Sequence, residues 1–259
     1  MIKRKTKLLL ILLTMALLPA GFLSSDNNGG GYYNPLSSIQ APKSFKTNIE
    51  RFRYYKKLYG KDCASEKITD NRGNGNESLY GTRNMRVILH GVAYRGGANN
   101  VYNKNNKREN NNPLQKDGLV NLCKNGFDAA VYLYGTNFKE APKEIHTKEN
   151  GNTLNYYQNS LGNEKDIRKM VKMVYDAIND PNAGPIYLHC WNGWHQSGYA
   201  STILLKQFCK VSDDEAVKYW EKNADGAGNK GYDHIKKKIR NFEPFKEYEI
   251  PDNIRKEIC

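Results

Sequence analysis

Residues Pro185 to Ala200 read PIYLHCWNGWHQSGYA, and few backbones accommodate that string. Pro185 to His189 has the apolar, β-rich composition of a short buried strand, while Ser197 to Lys210 reads as a helix. The chain must therefore turn from strand to helix across Cys190 to Gln196, and Gly193 permits the tight turn. In such a turn the backbone N–H groups from Trp191 to Gln196 can curl toward one point, at which the following helix also aims its positive end. The sequence predicts an anion cradle with a cysteine at its start. The dipoles that attract an anion also favour a thiolate, which makes Cys190 a candidate nucleophile, and Ser197 is placed to donate a hydrogen bond to its sulfur.

The rest of the chain supplies elements for one domain. Asn48 to Lys61 has helical spacing. Arg86 to Tyr94 reads as a strand ending in Arg95-Gly96-Gly97, and Ala98 to Asn112 as an Asn/Lys loop too polar to bury a core. Leu114 to Gly126 reads as a helix, Phe127 to Tyr134 as a largely apolar strand, Thr136 to Asn152 as polar loop, and Leu154 to Gln158 as a short strand. Between Asn163, a good N-cap, and Asp180, the residues Ile167, Met170, Val171, Val174, Tyr175 and Ile178 repeat at helical spacing. Ser212 with Glu215 is a capping box for a helix through Trp220, and Tyr232 to Phe242 reads as a last basic helix. This alternation predicts an α/β fold with a central, mostly parallel sheet flanked by helices and extra helices at the C-terminal end.

At the N-terminus, Lys3, Arg4, Lys5 and Lys7 precede an apolar run from Leu8 to Leu18 and then small residues near Ala20 to Ser25, the layout of a signal peptide over residues 1–25. A short N-terminal anchor is disfavoured because the run falls below the roughly 18 residues that a spanning helix needs, and a buried structural helix is disfavoured by the flanking charges. Residues 26–47, with Gly-Gly-Gly and Asn-Pro, have the composition of a flexible linker. The expectation is export to a periplasm, cell envelope or medium. Net charge is +13, and the chain stays basic without its leading cations, which favours anionic partners: phosphorylated molecules, lipid headgroups at a membrane surface, or nucleic acid. Dispersal of the lysines among asparagines, with no aromatic platform, argues against nucleic acid. Of the cysteines, Cys190 is the candidate free thiol. Cys63, Cys123, Cys209 and Cys259 could form two bridges of undetermined pairing, or Cys123 and Cys209 could be ordinary core residues.

The His-Cys loop resembles that of the cysteine-dependent protein phosphatases of the protein-tyrosine and dual-specificity type, which reads His-Cys, five residues, Arg, Ser or Thr, Gly. AYRGGANN resembles the opening strand of bacterial dual-specificity-like members, GLVNLCKNGFDAAVYLYG resembles their helix and strand, and Asn163 to Gly193 resembles the segment that delivers the nucleophile. The resemblance covers roughly Met85 to Phe208 and implies a single phosphatase-like domain over 48–259, with hydrolysis of a phosphate ester through Cys190. It implies a phosphate-binding loop of His189, Trp191, Asn192, Gly193, Trp194 and Gln196, with His189 orienting the loop and no cofactor. Two departures stand out. Where the family has its phosphate-gripping arginine, this chain has Gln196, which brings no charge. Where the family has its general-acid aspartate, roughly thirty residues before the cysteine, the window reads Tyr156, Tyr157, Gln158, Asn159, Ser160. Glu149, Glu164 and Asp166 are the nearest acids, and the last two suit the helix start.

His195, if protonated, could supply part of the missing charge, and Arg95 could swing toward the anion; the alternatives are an ordinary surface histidine and a structural arginine. Trp191 and Trp194 could form an aromatic rim or simply wedge the loop. A metal on His189, Cys190 and His195 is not expected, since three ligands on one tight turn rarely converge. The readings carried forward are an exported enzyme with altered chemistry, a catalytically inactive pseudophosphatase that binds an anionic ligand, and a basic envelope protein with a vestigial loop.

Overall fold

A computed structural model of the chain describes residues 44–61, 64–98, 113–148, 151–228 and 230–259. The expected signal and most of the linker lie outside the described residues, as do most of Ala98 to Asn112, Cys63 and Glu149.

Six strands form one sheet: β1 (Thr82–Leu89), β2 (Ala93–Ala98), β3 (Ala129–Tyr132), β4 (Glu144–His146), β5 (Thr153–Gln158) and β6 (Ile186–Cys190), in the order β1-β2-β6-β3-β5-β4. The pairs β2–β6, β6–β3 and β3–β5 are parallel, and only the edge pairs β1–β2 and β4–β5 are antiparallel. This is the α/β arrangement that the alternating pattern predicts. β6 sits between β2 and β3, all five of its residues are buried, and His189 is level with Gly96 on one side and Tyr132 on the other. Cys190 thus leaves the sheet at the carboxyl ends of parallel strands, the end at which sheets of this kind place their ligands.

Among the described residues, seven α-helices accompany the sheet: α1 (Asn48–Tyr59), α2 (Lys116–Lys124), α3 (Glu164–Asn179), α4 (His195–Cys209), α5 (Asp213–Lys222), α6 (Asp233–Arg240) and α7 (Asp252–Ile258). Alternation along β6 sends Ile186 and Leu188 to one face, where Met170, Val171 and Val174 of α3 and Ile203, Leu204 and Phe208 of α4 pack. Tyr187 faces the other way, among Tyr94, Ala130, Leu119 and Leu122 of α2, and Tyr55 and Tyr59 of α1. The caps expected from sequence are made: Asn163 accepts from the Asp166 N–H at the start of α3, and Ser212 and Glu215 close their capping box on α5.

Three expectations need correction. The run from Arg86 to Tyr94 is not one strand but a hairpin, because Gly91 takes φ +71 and Val92 donates back to the Leu89 carbonyl at 3.0 Å. The stretch from Thr136 to Asn152 holds β4, a three-residue edge strand too short to show a pattern. Cys209 is not a free core residue: it is bridged to Cys259, whereas Cys123 is free and buried in the core, with its sulfur near the carbonyl oxygens of Ile145 and Asn152.

That bridge belongs to a clamp on α4, the helix that carries the loop. Every residue of α4 from Ser197 to Phe208 is buried, so its polar members need internal partners. Lys206 gives its ammonium to the carbonyl oxygens of Ile239 (2.9 Å) and Phe242 (2.5 Å) and pairs with Asp213 at 2.6 Å. Gln207 exchanges hydrogen bonds with the backbone of Phe245 at 3.0 and 2.8 Å. The Cys209–Cys259 bridge then ties the last residue, 50 positions on, to the end of the same helix. Replacing Cys209 with Ser is expected to lower unfolding free energy by about 2–4 kcal/mol; a urea midpoint equal to that of the oxidised wild type would contradict the clamp.

Candidate active site

His189 and Cys190 end β6, and the chain then turns through Trp191 to Trp194 into the first turn of α4. His189 is fully buried between the rings of Tyr132, Tyr156 and Tyr187, which stack on it at centroid distances of 5.4 to 5.7 Å. The Cys190 carbonyl, which can only accept, faces His189 Nδ1 at 3.2 Å, so the neutral ring is assigned its proton on Nδ1. Nε2 then accepts from the Tyr156 hydroxyl (2.7 Å), which itself accepts from the Leu114 N–H (2.8 Å). Burial pushes the His189 pKa down to about 4, against a weaker opposing pull from the Cys190 carbonyl. The imidazole is therefore buried and neutral where β6 runs into the loop.

Cys190 is buried, and its thiol meets the Ser197 hydroxyl at 3.4 Å. Among the described residues, no protein group accepts a hydrogen bond from the backbone N–H of Trp194, His195, Gln196 or Ser197. The loop's carbonyl oxygens, by contrast, are taken up. Arg95 Nη2 donates to the Gly193 carbonyl and, at 3.1 Å, to that of Trp194; Asn84 Nδ2 donates to that of Asn192 at 2.8 Å; the Ala98 N–H donates to that of Trp191 at 3.1 Å. A peptide whose C=O is held on one side presents its N–H on the other. Gly97 pairs with Asn192, and the approach is so close that a Cβ on Gly97 would lie 2.5 Å from the Asn192 carbonyl carbon. Gly193 takes φ +74, and a Cβ there would lie 2.7 Å from the Gly96 carbonyl carbon.

The residues singled out from sequence take different places around this loop. Arg95 is fully buried and holds carbonyls, which gives it a structural task at the loop. His195 stacks on Tyr232 at 4.0 Å, and its Nε2 faces the Ala227 carbonyl at 2.9 Å, so the ring is committed to the α5–α6 connection. The two tryptophans divide their roles. Trp191 is 37% exposed, packs on Tyr134 at 4.9 Å and donates to the Tyr132 hydroxyl at 3.0 Å, forming a rim. Trp194 donates to Asp225 at 3.1 Å and wedges the loop against the α5–α6 connection.

Sequence reasoning passed over Arg83, Asn84, Tyr132, Tyr134 and Asp225. Tyr132 and Tyr134 were within reach, since β3 and β6 are adjacent parallel strands and end at the same edge. Burial raises the Tyr134 hydroxyl pKa, and the charge of a Cys190 thiolate would raise it further. Asp225 joins Trp194 to Lys67 (2.8 Å) and Arg86 (3.1 Å). Burial alone would raise its pKa, but the Lys67 hydrogen bond and the nearby Arg86 charge outweigh that and hold it below the usual carboxylate range. It stays ionised and is no proton donor at neutral pH.

The window where the resemblance would place an acid is built from amides: Gln158 donates to the Tyr134 carbonyl at 2.8 Å, and Asn159 to that of Asp166 at 2.8 Å. Glu164 pairs with Arg168, and Asp166 sits at the α3 cap. Among the described residues, no group of three metal-ligating side chains could hold a metal ion. A cleft of about 350 Å³ lined by Asp128, Asn152 and Asn155 opens at the opposite ends of the strands, far from Cys190 and without a nucleophile.

No family model matches the chain, and no curated protein matches it. Among solved structures it is similar to the core catalytic domain of the PP-IP phosphatase SIW14 from S. cerevisiae in complex with citrate, at 16% identity, covering 62% of this chain and 86% of that one with a TM-score of 0.41. It is also similar to P. aeruginosa TpbA, at 12% identity, covering 65% and 89% with a TM-score of 0.37. A third is PTPMT1 in complex with PI(5)P, at 14% identity, covering 60% and 96% with a TM-score of 0.35.

A buried neutral histidine has a measurable consequence. The folded-state pKa of His189 lies below its unfolded value, so between about pH 6.5 and 4 the unfolded chain binds a proton that the folded chain does not. Stability is full above the unfolded pKa and falls as pH drops through that window, by about 1.4 kcal/mol per pH unit for one imidazole. His90, also lowered to about 4, first by burial and then by Lys56, adds a second proton. Chemical denaturation between pH 7 and 4 should show this slope, and His189→Gln should remove about half of it; an unchanged slope would mean that His189 is not buried neutral.

Proposed function

We propose that the protein is an exported cysteine-dependent phosphatase of altered loop chemistry, in which Cys190 attacks a phosphate monoester. The observation that carries this reading is the set of N–H groups from Trp194 to Ser197 without internal acceptors, gathered at the start of α4 beside a thiol that meets the Ser197 hydroxyl. Such a cradle binds three equatorial oxygens of a phosphoryl group and favours the thiolate. The sulfur forms a bond to phosphorus as the bond to the leaving oxygen breaks; water then attacks the thiophosphoryl group, releasing inorganic phosphate and returning the thiolate, to which the Ser197 hydroxyl donates.

What the loop lacks shapes the chemistry. Gln196 gives no charge to the transition state, and no carboxylate stands at the window 156–160 to protonate the leaving oxygen. The enzyme is then slow and selects esters whose leaving group departs without a proton, such as aryl phosphates. The same two features favour a second reading, an anion-binding pseudophosphatase. Export is supported by the layout of residues 1–25 and accords with the Cys209–Cys259 bridge, since such bridges persist in oxidising compartments.

A nitrophenyl phosphate should be hydrolysed by the wild type and not by Cys190→Ser, with rates across aryl phosphates depending steeply on leaving-group pKa. Gln196→Arg should raise kcat/KM by roughly 10- to 100-fold. Absence of cysteine-dependent turnover across aryl and alkyl esters, in both wild type and Gln196→Arg, would leave the binding reading in its place.

A further inference from the structure

We propose that Arg83 supplies the positive charge that position 196 lacks, gripping the loop's anion from β1 instead of from α4. The inference rests on the loop being an anion cradle and adds to it a residue from outside the loop. Arg83 is fully buried on the first strand, yet it reaches the loop: its Nη2 donates to the Asn192 side-chain oxygen at 2.6 Å, and its guanidinium lies 6.0 Å from the centre of the Trp194 ring. Two residues on either side of Gly193 therefore hold it against the turn.

Its remaining donors are unspent. Nε and Nη1 are buried and have no hydrogen-bond partner, and among the described residues no carboxylate pairs with the group. A guanidinium removed from water with no counter-charge and one neutral hydrogen-bond acceptor is poorly compensated, and one so placed beside an anion cradle points to an anionic ligand. The carboxylates nearby are committed elsewhere. Asp225 is shared by Lys67, Arg86 and Trp194, and Asp70 accepts from the Arg72 and Asn74 N–H groups within its own turn.

The other cations around the loop are excluded by what they already do. Arg95 also has two unpartnered donors, Nε and Nη1, but its third anchors the carbonyls of Gly193 and Trp194, so movement toward the ligand would release the turn. Arg86 is paired with Asp225, and His195 is stacked on Tyr232. Arg83 alone among these grips the loop through a neutral side-chain oxygen, the Asn192 amide, which an oxyanion outcompetes for a guanidinium. In the ligand-bound state the Asn192 contact gives way to a charge-assisted pair between Arg83 and an equatorial oxygen. The loop then carries a fixed cation without a loop arginine.

The test uses tungstate, an unreactive tetrahedral oxyanion, with its affinity measured calorimetrically on the full-length protein. Arg83→Gln should weaken tungstate binding by roughly 10- to 100-fold, the loss of one charge-assisted pair, and adding Gln196→Arg to that variant should restore it. Arg83→Gln that binds tungstate as the wild type does, while Gly193→Val binds none, would overturn the role of Arg83 and leave the cradle standing. Wild-type protein that binds no tungstate would overturn both. Should Arg83→Gln not fold, the arginine Nε–H resonances of the wild type decide: that of Arg83, assigned with Arg83→Lys, should move on titration with tungstate, and a resonance that stays in place would refute the proposal.

Discussion

The turn after β6 is shaped from behind. Arg95 takes up the carbonyl oxygens of Gly193 and Trp194, Asn84 takes that of Asn192, and the Ala98 N–H takes that of Trp191. With each of these oxygens held, the planar peptides between them have little freedom to rotate. The burial of Arg95, the glycines at 96, 97 and 193, and the pairing of Gly97 with Asn192 all follow from the need to bring the turn against β2. Cys190 and Ser197 gain their meaning only in that frame, since a thiol and a hydroxyl 3.4 Å apart are otherwise an ordinary buried contact.

The fold was legible where local pattern and tertiary need agree. α3 carries an apolar stripe from Ile167 to Ile178 and an Asn cap, and the structure forms it as read. β6 is an apolar run between Pro185 and the cysteine, and its central position follows from its burial on both faces. The hairpin at Gly91 was not legible in this way, because HGV inside an apolar segment looks like strand until the φ of the glycine is known. β4 owes its existence to β5, its only neighbour in the sheet, rather than to anything in Glu144 to His146. At the site, everything contiguous with Cys190 could be found by reading outward from it. Arg83, Asn84 and Asp225 could not, since they reach the loop from more than a hundred residues upstream or across the α5–α6 connection and carry no motif of their own.

The C-terminal segment explains how a helix as deeply buried as α4 tolerates a lysine and a glutamine. Lys206 and Gln207 would be serious defects in an apolar core. Here they supply donors to the carbonyl oxygens at the end of α6 and in the segment after it, so the last part of the chain is folded onto α4 by the helix's own polar residues. α7 completes the arrangement, with Arg255 donating to the Phe208 carbonyl at 2.9 Å and the Ile258 carbonyl accepting from the His90 N–H at 2.7 Å. The disulfide is thus added to an interface that hydrogen bonds already define, and it protects the end of the helix whose first turn frames the loop.

Charge balance around the loop is the remaining constraint. Arg83, Arg86 and Arg95 are all buried on β1 and β2, and Asp225 is the carboxylate that answers Arg86, already shared with Lys67. Like charges so close oppose one another: the proximity of Arg95 adds to burial in pulling down the Arg86 pKa. A loop with its own arginine would add a fourth cation to this group. In that setting a neutral glutamine at position 196 is the residue that the surrounding electrostatics favour. The short reach between Arg83 and Asn192 ties β1 to the same turn.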